Sequence, residues 1–366
     1  MFTLSCKKAG AGLISPIISS YAILPPCDLA VWQAGRHVVK CAAILPTKRQ
    51  AIKMIEYFKP VPFSLFRKDK KAFGDALCQS FRETGFAVVS EHTVDQGIID
   101  RNLEATKAFF ALPEEVKAQY DGRDGGGQRG YTAFGTENAK GNAHADLKEF
   151  WHTGRDLPVD SPYRTTMADT PSVSEVASFD ESTRALYNAL DEMGRQILEG
   201  VALHLGLPEG WFDDKVNFGN SILRLLHYPP QMSPPSEGTV RAGAHEDINV
   251  ITLLLGAEEA GLQALHRSGT WLDVNPPEGA LVINCGDMLQ RLTAGVLPST
   301  THRVLNPTPE RAKFPRYSTP FFLHFNQDYL IDPLPGCVAE GGKAEPAITA
   351  QDYLMERLRE IGLVKA

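Results

Sequence analysis

Two histidines and an aspartate offer the clearest chemistry in this chain. His245 and Asp247 stand as His-x-Asp, and residues i and i+2 of a strand face the same way, so an imidazole and a carboxylate are expected side by side. His302 follows 55 residues after Asp247, at the start of another β-rich run, where it can close a third corner. Two neutral imidazoles and one carboxylate bind Fe(II) on one face and leave three positions open, where an oxidising cosubstrate and dioxygen can meet. One histidine among the chain's ten means little by itself, because a lone imidazole is more often a hydrogen-bonded structural group. His245-Glu246 also begins like a zinc-protease His-Glu-x-x-His, but position 249 is Asn and the segment lacks helical patterning, which closes off that chemistry.

Arg316-Tyr317-Ser318 begins fourteen residues after His302. On a strand, Arg316 and Ser318 share a face, giving a guanidinium fork and a hydroxyl that together suit a carboxylate. Tyr228, in Leu226-His227-Tyr228-Pro229, is a candidate third donor to the same carboxylate, although a tyrosine in such a run also fits a core position.

These residues need a β scaffold, and the second half of the chain supplies the pattern. Ile222–Tyr228, Val250–Leu255, Leu262–Leu265, Trp271–Val274, Ala280–Asn284, Thr301–Leu305 and Tyr317–Phe325 are β-rich runs separated by Gly, Pro and Asn turns. So many short strands at close intervals predict a sandwich or jelly-roll barrel. The first half is mixed: helices are expected over Lys71–Thr84, Asn102–Phe110, Glu114–Tyr120 and Ser182–Leu205, with a buried strand over 85–89. A last helix is expected over Ala350–Ile361, with Thr349 as its N-cap.

Taken in order, the motifs resemble the isopenicillin N synthase-like branch of the 2-oxoglutarate/Fe(II)-dependent oxygenases. The resemblance rests on Ala244-His245-Glu246-Asp247 leading into Thr252-Leu253-Leu254, then Gly261-Leu262-Gln263, Asn284-Cys285-Gly286-Asp287-Met288, Ser299-Thr300-Thr301-His302-Arg303-Val304 and Arg316-Tyr317-Ser318. Upstream, Gly85-Phe86, Phe109-Phe110 before Leu112-Pro113, Arg129-Gly130-Tyr131 and Asp146-Leu147-Lys148-Glu149 match as well, so it covers roughly residues 60–330. It implies a double-stranded β-helix (jelly-roll) core with flanking helices, iron on His245, Asp247 and His302, and the distal carboxylate of 2-oxoglutarate on Arg316, Ser318 and Tyr228. The implied reaction consumes 2-oxoglutarate and O2, with ascorbate as a candidate reductant, gives succinate and CO2, and oxidises, most simply hydroxylates, a small molecule. Two departures stand out: Glu246 replaces the small polar residue common between the ligands, and Leu226 replaces an Asn common in plant members. Glu246 is expected to point away from the metal by strand alternation.

In this family the segment before the barrel lines the mouth of the site, which makes Arg129, Tyr131, Lys148, Phe150 and Trp151 substrate candidates. Asp146–Glu149 fits a salt-bridged surface turn equally well. The motif set also admits an ethylene- and succinate-forming oxygenase, an oxidase that uses no 2-oxoglutarate, and a non-enzymatic metal-binding barrel.

The 366-residue chain has a formal charge of −7, unevenly distributed. Residues 1–53 hold seven basic side chains against Asp28 alone, so the rest of the chain is strongly acidic. An acidic body argues against general nucleic-acid binding, and the partner expected is a small-molecule substrate, with no membrane and no obligate protein partner. Three widely spaced cysteines in the body (Cys78, Cys285, Cys337) fit reduced thiols in a cytoplasmic protein. The expected organisation is 1–53 as an extension, poorly ordered or upstream of a start at Met54, with a targeting segment as the competing reading. The rest divides into 54–215 as a mixed helical region, 216–330 as the catalytic core and 331–366 as a C-terminal segment with its helix.

Overall fold

The computed structural model describes residues 57–122, 128–136, 146–231, 240–255 and 261–360. The expectations for residues 1–53 and for a start at Met54 lie outside them.

The helices form where the sequence caps them. Helix α1 (Lys70–Thr84) opens on Asp69, whose carboxylate accepts from the Ala72 N–H, and closes on Gly85 at φ 72°, a left-handed conformation suited to glycine. Its apolar stripe, Phe73, Leu77, Cys78 and Phe81, is buried. Helix α2 (Gln96–Phe110) opens on Asp95 in the same way. The longest helix, α3 (Phe179–His204), crosses α1 so closely that Gly74 and Gly200 meet: a Cβ on Gly74 would stand 2.0 Å from the Gly200 carbonyl oxygen. Helix α4 (Ala350–Glu360) follows Thr349, whose hydroxyl accepts from the Asp352 N–H, as the sequence predicts.

The strands, in chain order, are β1 (Val61–Pro62), β2 (Phe86–Ser90), β3 (Gly130–Thr132), β4 (Glu149–Gly154), β5 (Ile222–Tyr228), β6 (Ala242–His245), β7 (Ile251–Leu255), β8 (Leu262–Leu265), β9 (Trp271–Asp273), β10 (Leu281–Cys285), β11 (His302–Val304), β12 (Arg316–Leu323), β13 (Leu330–Ile331) and β14 (Ile348–Thr349). Eight form a major sheet in the order β1-β2-β10-β7-β12-β5-β4-β3, and four form a minor sheet in the order β6-β11-β8-β9. Two sheets of mostly antiparallel strands with long crossovers make the jelly roll that the sequence leads one to expect.

Alternation along the major sheet sorts its two faces. Leu223 and Leu225 of β5, Leu253 of β7, Phe321 and Leu323 of β12 and Trp151 of β4 join α1, α2 and α3 in the main hydrophobic core. The other face carries the even-numbered residues of β4, β5, β7, β10 and β12. Register pairs them across the strands: Asn284 with Thr252, Thr252 with Phe322, Ser318 with Leu226, Arg316 with Tyr228, Phe150 with Leu226 and His152 with Arg224. The first face packs the main core, and the second divides between an apolar cluster against the minor sheet (Phe86, Val88 and Val282 with Ala264 and Leu272) and the buried polar residues.

Candidate metal and cosubstrate site

His245 ends β6 and His302 begins β11, and these two residues are direct partners across the antiparallel pair. Their rings lie 4.4 Å apart between centroids. Asp247 does not share their sheet. It falls beyond the end of β6, so strand alternation is not what sets it beside His245. Hydrogen bonds from the major sheet hold it instead: Oδ2 accepts from the Thr252 hydroxyl at 2.6 Å and from Asn284 Nδ2 at 2.8 Å. That leaves Oδ1 turned to the histidines, 3.7 Å from His245 Nε2 and 3.8 Å from His302 Nε2.

Each imidazole is also fixed from behind. His245 Nδ1 donates to the Gly243 carbonyl at 2.7 Å, and His302 Nδ1 donates to the Thr300 carbonyl at 3.0 Å. A proton on Nδ1 leaves the Nε2 lone pair facing Asp247, which is the tautomer a metal needs. Phe86 closes the edge of the His302 ring at 5.4 Å.

The electrostatics agree. Burial, and then the neighbouring His302, push the His245 imidazole down to about 4, so it is neutral at physiological pH. Burial alone would raise the Asp247 carboxyl, but the two imidazoles and the bonds from Thr252 and Asn284 outweigh it and hold it below its ordinary value. A neutral His245 imidazole and an ionised Asp247 carboxylate are in the protonation states that bind a divalent ion. One donor atom from each residue falls within 4.8 Å of the others, and ligand atoms roughly 2.1 Å from a shared ion span about 3 to 4 Å. The donor set suits one metal ion, which would draw the atoms together by roughly 1 Å.

Arg316 and Ser318 are both buried on the same face of β12. Tyr228 lies opposite Arg316 on β5, with the Arg316 guanidinium 5.0 Å from its ring centroid. Arg241, fully buried, stands 5.5 Å from the same ring. Nothing in the spacing of the sequence pointed to Arg241. Leu226 packs with Phe150 and Tyr228 in a small apolar cluster beside Ser318, so the Asn common in plant members has an apolar replacement here. Glu246 is exposed and accepts a bond from the Thr301 hydroxyl, away from the ligand atoms.

The five substrate candidates separate. Phe150 is on the site face, and Lys148, paired with Asp146 at 2.8 Å, is near enough to His245 to act on its charge. Arg129 is buried and bonded to Asn220, Ala168 and Gln128. Tyr131 and Trp151 lie in the main core, Tyr131 donating to Glu149. Asp146, Lys148 and Glu149 are salt-bridged but buried, so this stretch is not a surface turn. Arg224, His152 and Phe322 share the site face and were missed. Counting back four from Tyr228, or on six from Arg316, would have reached Arg224 and Phe322.

A jelly roll that brings two imidazoles of its minor sheet and a carboxylate together, with a buried arginine-serine pair on the facing major sheet, defines a mononuclear non-haem iron oxygenase. Comparison with known proteins narrows the class. Residues 60–174 match the N-terminal model of non-haem dioxygenases in morphine synthesis, and residues 219–325 match the 2OG-Fe(II) oxygenase superfamily. The chain is 34% identical over 306 residues to the 2-oxoglutarate-Fe(II) type oxidoreductase hxnY of Emericella nidulans, covering 80% of this chain and 86% of that one. A solved 2OG-Fe(II) oxygenase family structure from Caulobacter crescentus shares 54% identity with a TM-score of 0.78, covering 83% of this chain and 99% of its own. A full-length Neurospora crassa protein, solved in complex with alpha-KG and thymine, shares 28% identity with a TM-score of 0.73, covering 82% and 96%. The chain belongs to the 2-oxoglutarate/Fe(II)-dependent oxygenase superfamily and is an oxidoreductase that uses Fe(II), 2-oxoglutarate and O2. Among the described residues, no helix is long and apolar enough to cross a membrane.

Proposed function

We propose that His245, Asp247 and His302 hold the iron, that Arg316, Ser318 and Tyr228 hold the distal carboxylate of 2-oxoglutarate, and that the protein hydroxylates a small polar molecule. The observation that carries this reading is the convergence of three donor atoms within 4.8 Å, each His fixed through Nδ1 and Asp247 held by the sheet that also buries Arg316 and Ser318. When bound, the iron would supply the redox chemistry by which O2 and 2-oxoglutarate become succinate, CO2 and an oxidised substrate.

The chain's own residues do the positioning. The neighbouring imidazoles, and then the bonds from Thr252 and Asn284 to its outer oxygen, outweigh burial and hold the Asp247 carboxyl below its ordinary value. The Arg316 guanidinium fork and the Ser318 hydroxyl, both buried, would orient a carboxylate by charge-assisted hydrogen bonds. The Tyr228 ring, 5.0 Å from the Arg316 guanidinium carbon, is near enough to favour its charge. The relatives named for 2-oxoglutarate favour this reading over an oxidase that dispenses with it. The Neurospora crassa relative has been solved with a small planar molecule, thymine, which accords with a small-molecule substrate here. The buried free thiols Cys78, Cys285 and Cys337 accord with a reducing, cytoplasmic setting.

The test is succinate release from 2-oxoglutarate by the Fe(II)-loaded protein in the presence of ascorbate and a panel of small acids and amino acids. Substitution of His245, Asp247 or His302 by Ala should abolish it, and Arg316→Leu should raise the 2-oxoglutarate KM. Near-normal succinate formation by Asp247→Ala would refute the ligand assignment.

A further inference from the structure

We propose that His227 and Tyr317 are positioning residues for 2-oxoglutarate: their stacked rings, anchored on Glu149, hold the Arg316–Ser318 clamp from behind the sheet. This role rests on the assignment of Arg316 and Ser318 to the distal carboxylate made above, and adds the device that keeps them in place.

The clamp lies at the lightly held end of β12. Among the described residues, pairing of β12 with β7 runs from Thr319 to Leu323 and stops short of the clamp. The strand pairs of Arg316, Tyr317 and Ser318 are with β5, at Tyr228, His227 and Leu226. The next β5 pairs come at Phe321 and Phe322, beyond Pro320, which has no N–H to give. A carboxylate site needs its donors held to within about 0.5 Å, so this stretch needs a further hold.

That hold comes from the face opposite the clamp. By alternation His227 and Tyr317 face away from Tyr228 and Arg316, and Tyr317 packs against the main core. The two are direct partners across β5 and β12, and their rings stack 4.9 Å apart at 12°. His227 in turn sits opposite Glu149 of β4, with Nδ1 2.7 Å from Oε1. Burial would raise the Glu149 carboxyl, but the bonds from His227, Lys117 and Tyr131 outweigh it and hold it below its ordinary value. An ionised carboxylate only accepts, so His227 Nδ1 carries the proton, and that in-plane N–H ties the ring to Glu149. Glu149 is itself fixed through Oε2 by Lys117 at 2.7 Å and by the Tyr131 hydroxyl. Phe110 packs 5.2 Å from the same imidazole.

A continuous set of contacts therefore runs from Lys117 and Tyr131 through Glu149 and His227 to Tyr317, the residue between Arg316 and Ser318. A ring held in one plane on β5 sets where the Tyr317 ring lies, and with it the backbone of the clamp. The stack uses the ring of Tyr317 and not its hydroxyl, so phenylalanine serves there and a flexible aliphatic chain does not.

The test reads 2-oxoglutarate binding against metal binding. With Mn(II) in place of Fe(II), 2-oxoglutarate affinity is measured calorimetrically and Mn(II) affinity by competition with a chelator. The proteins are the wild type, His227→Leu, Tyr317→Leu and Tyr317→Phe. Each Leu variant should bind 2-oxoglutarate ~10-fold or more weakly, as expected when a hydrogen bond to a charged group is misplaced. Mn(II) affinity should stay within roughly threefold of the wild type, short of the loss expected when a metal ligand's own partner is removed. Tyr317→Phe should match the wild type for both ligands. If His227→Leu does not fold, the two variants of Tyr317, which is only partly buried, decide the question. Unchanged 2-oxoglutarate affinity in a folded Leu variant, an equal loss in Tyr317→Phe, or a parallel loss of Mn(II) affinity overturns the assignment. Failure of the Mn(II)-loaded wild type to bind 2-oxoglutarate is a separate result: it removes the oxygenase reading, and this role with it.

Discussion

Thr252→Val tests whether the metal site is built by its supporting residues or only by its three ligands. The Thr252 hydroxyl accepts from Asn249 Nδ2 at 2.8 Å and donates to Asp247 Oδ2 at 2.6 Å. Valine keeps the shape and removes both bonds, leaving the Asn284 side chain to hold that oxygen. A hydrogen bond to a charged group contributes about 1.5–3 kcal/mol, and loss of such a partner behind a metal ligand weakens metal binding by about 10–100-fold. The two ranges agree, since a tenfold change is about 1.4 kcal/mol. The assay is competition with a chelator for Mn(II), a non-oxidising stand-in for Fe(II). Thr252→Val should weaken Mn(II) binding by about 10–100-fold, while Thr252→Ser, which keeps the hydroxyl, should stay within roughly threefold of the wild type. Equal Mn(II) affinity in Thr252→Val and the wild type would refute the claim that this bond orients Asp247.

Three further predictions concern stability. Glu149 is buried and meets Lys117 at 2.7 Å, His227 at 2.7 Å and the Tyr131 hydroxyl, so Glu149→Leu strands a buried ammonium and should cost about 3–5 kcal/mol in urea unfolding. A loss below about 1 kcal/mol would show that water reaches Lys117. Gly74→Ala puts a methyl against the Gly200 carbonyl and should destabilise by about 1–3 kcal/mol as α1 and α3 are forced apart, an expectation that an unchanged urea midpoint contradicts. Burial pushes His324 down to about 4 from an unfolded value near 6.5, so its contribution is present above pH 6.5 and is lost as pH falls through 4. The metal-free His324→Asn variant should therefore lose about 3 kcal/mol less stability than the wild type between pH 7 and pH 4, and parallel pH profiles would exclude that role.

Much of this was legible in the sequence, for reasons that differ by element. The long strands β5, β7 and β12 announce themselves through β-branched and aromatic runs, and α1 and α3 through spacings of three and four. β6 was not legible as a strand, because Ala-Gly-Ala-His carries no alternation, yet it places His245 opposite His302. β4 was hidden for another reason: Glu149 and His152 look like surface residues, and only tertiary partners make their burial tolerable. His-x-Asp drew attention to a pair that the structure does bring together, but for an incomplete reason. Same-face alternation cannot bring Asp247 to His245 across the end of a strand, whereas Thr252 and Asn284, from two strands of the other sheet, do. The same dependence on register explains the rest of the site face. Arg224, His152 and Phe322 are far apart in sequence and meet because β4, β5 and β12 are neighbours.

The central claim is that one face of this jelly roll binds 2-oxoglutarate through a divalent ion held by His245, Asp247 and His302 and through the Arg316–Ser318 clamp. It is tested most directly by calorimetric titration of 2-oxoglutarate into the anaerobic, Fe(II)-supplied wild type and the Asp247→Ala and Arg316→Leu variants. The structure predicts saturable binding by the wild type, none without metal, and at least a ~10-fold loss in each variant, as expected when a charge-assisted contact is removed. Wild-type affinity in Asp247→Ala, or binding that is indifferent to the metal, would contradict it.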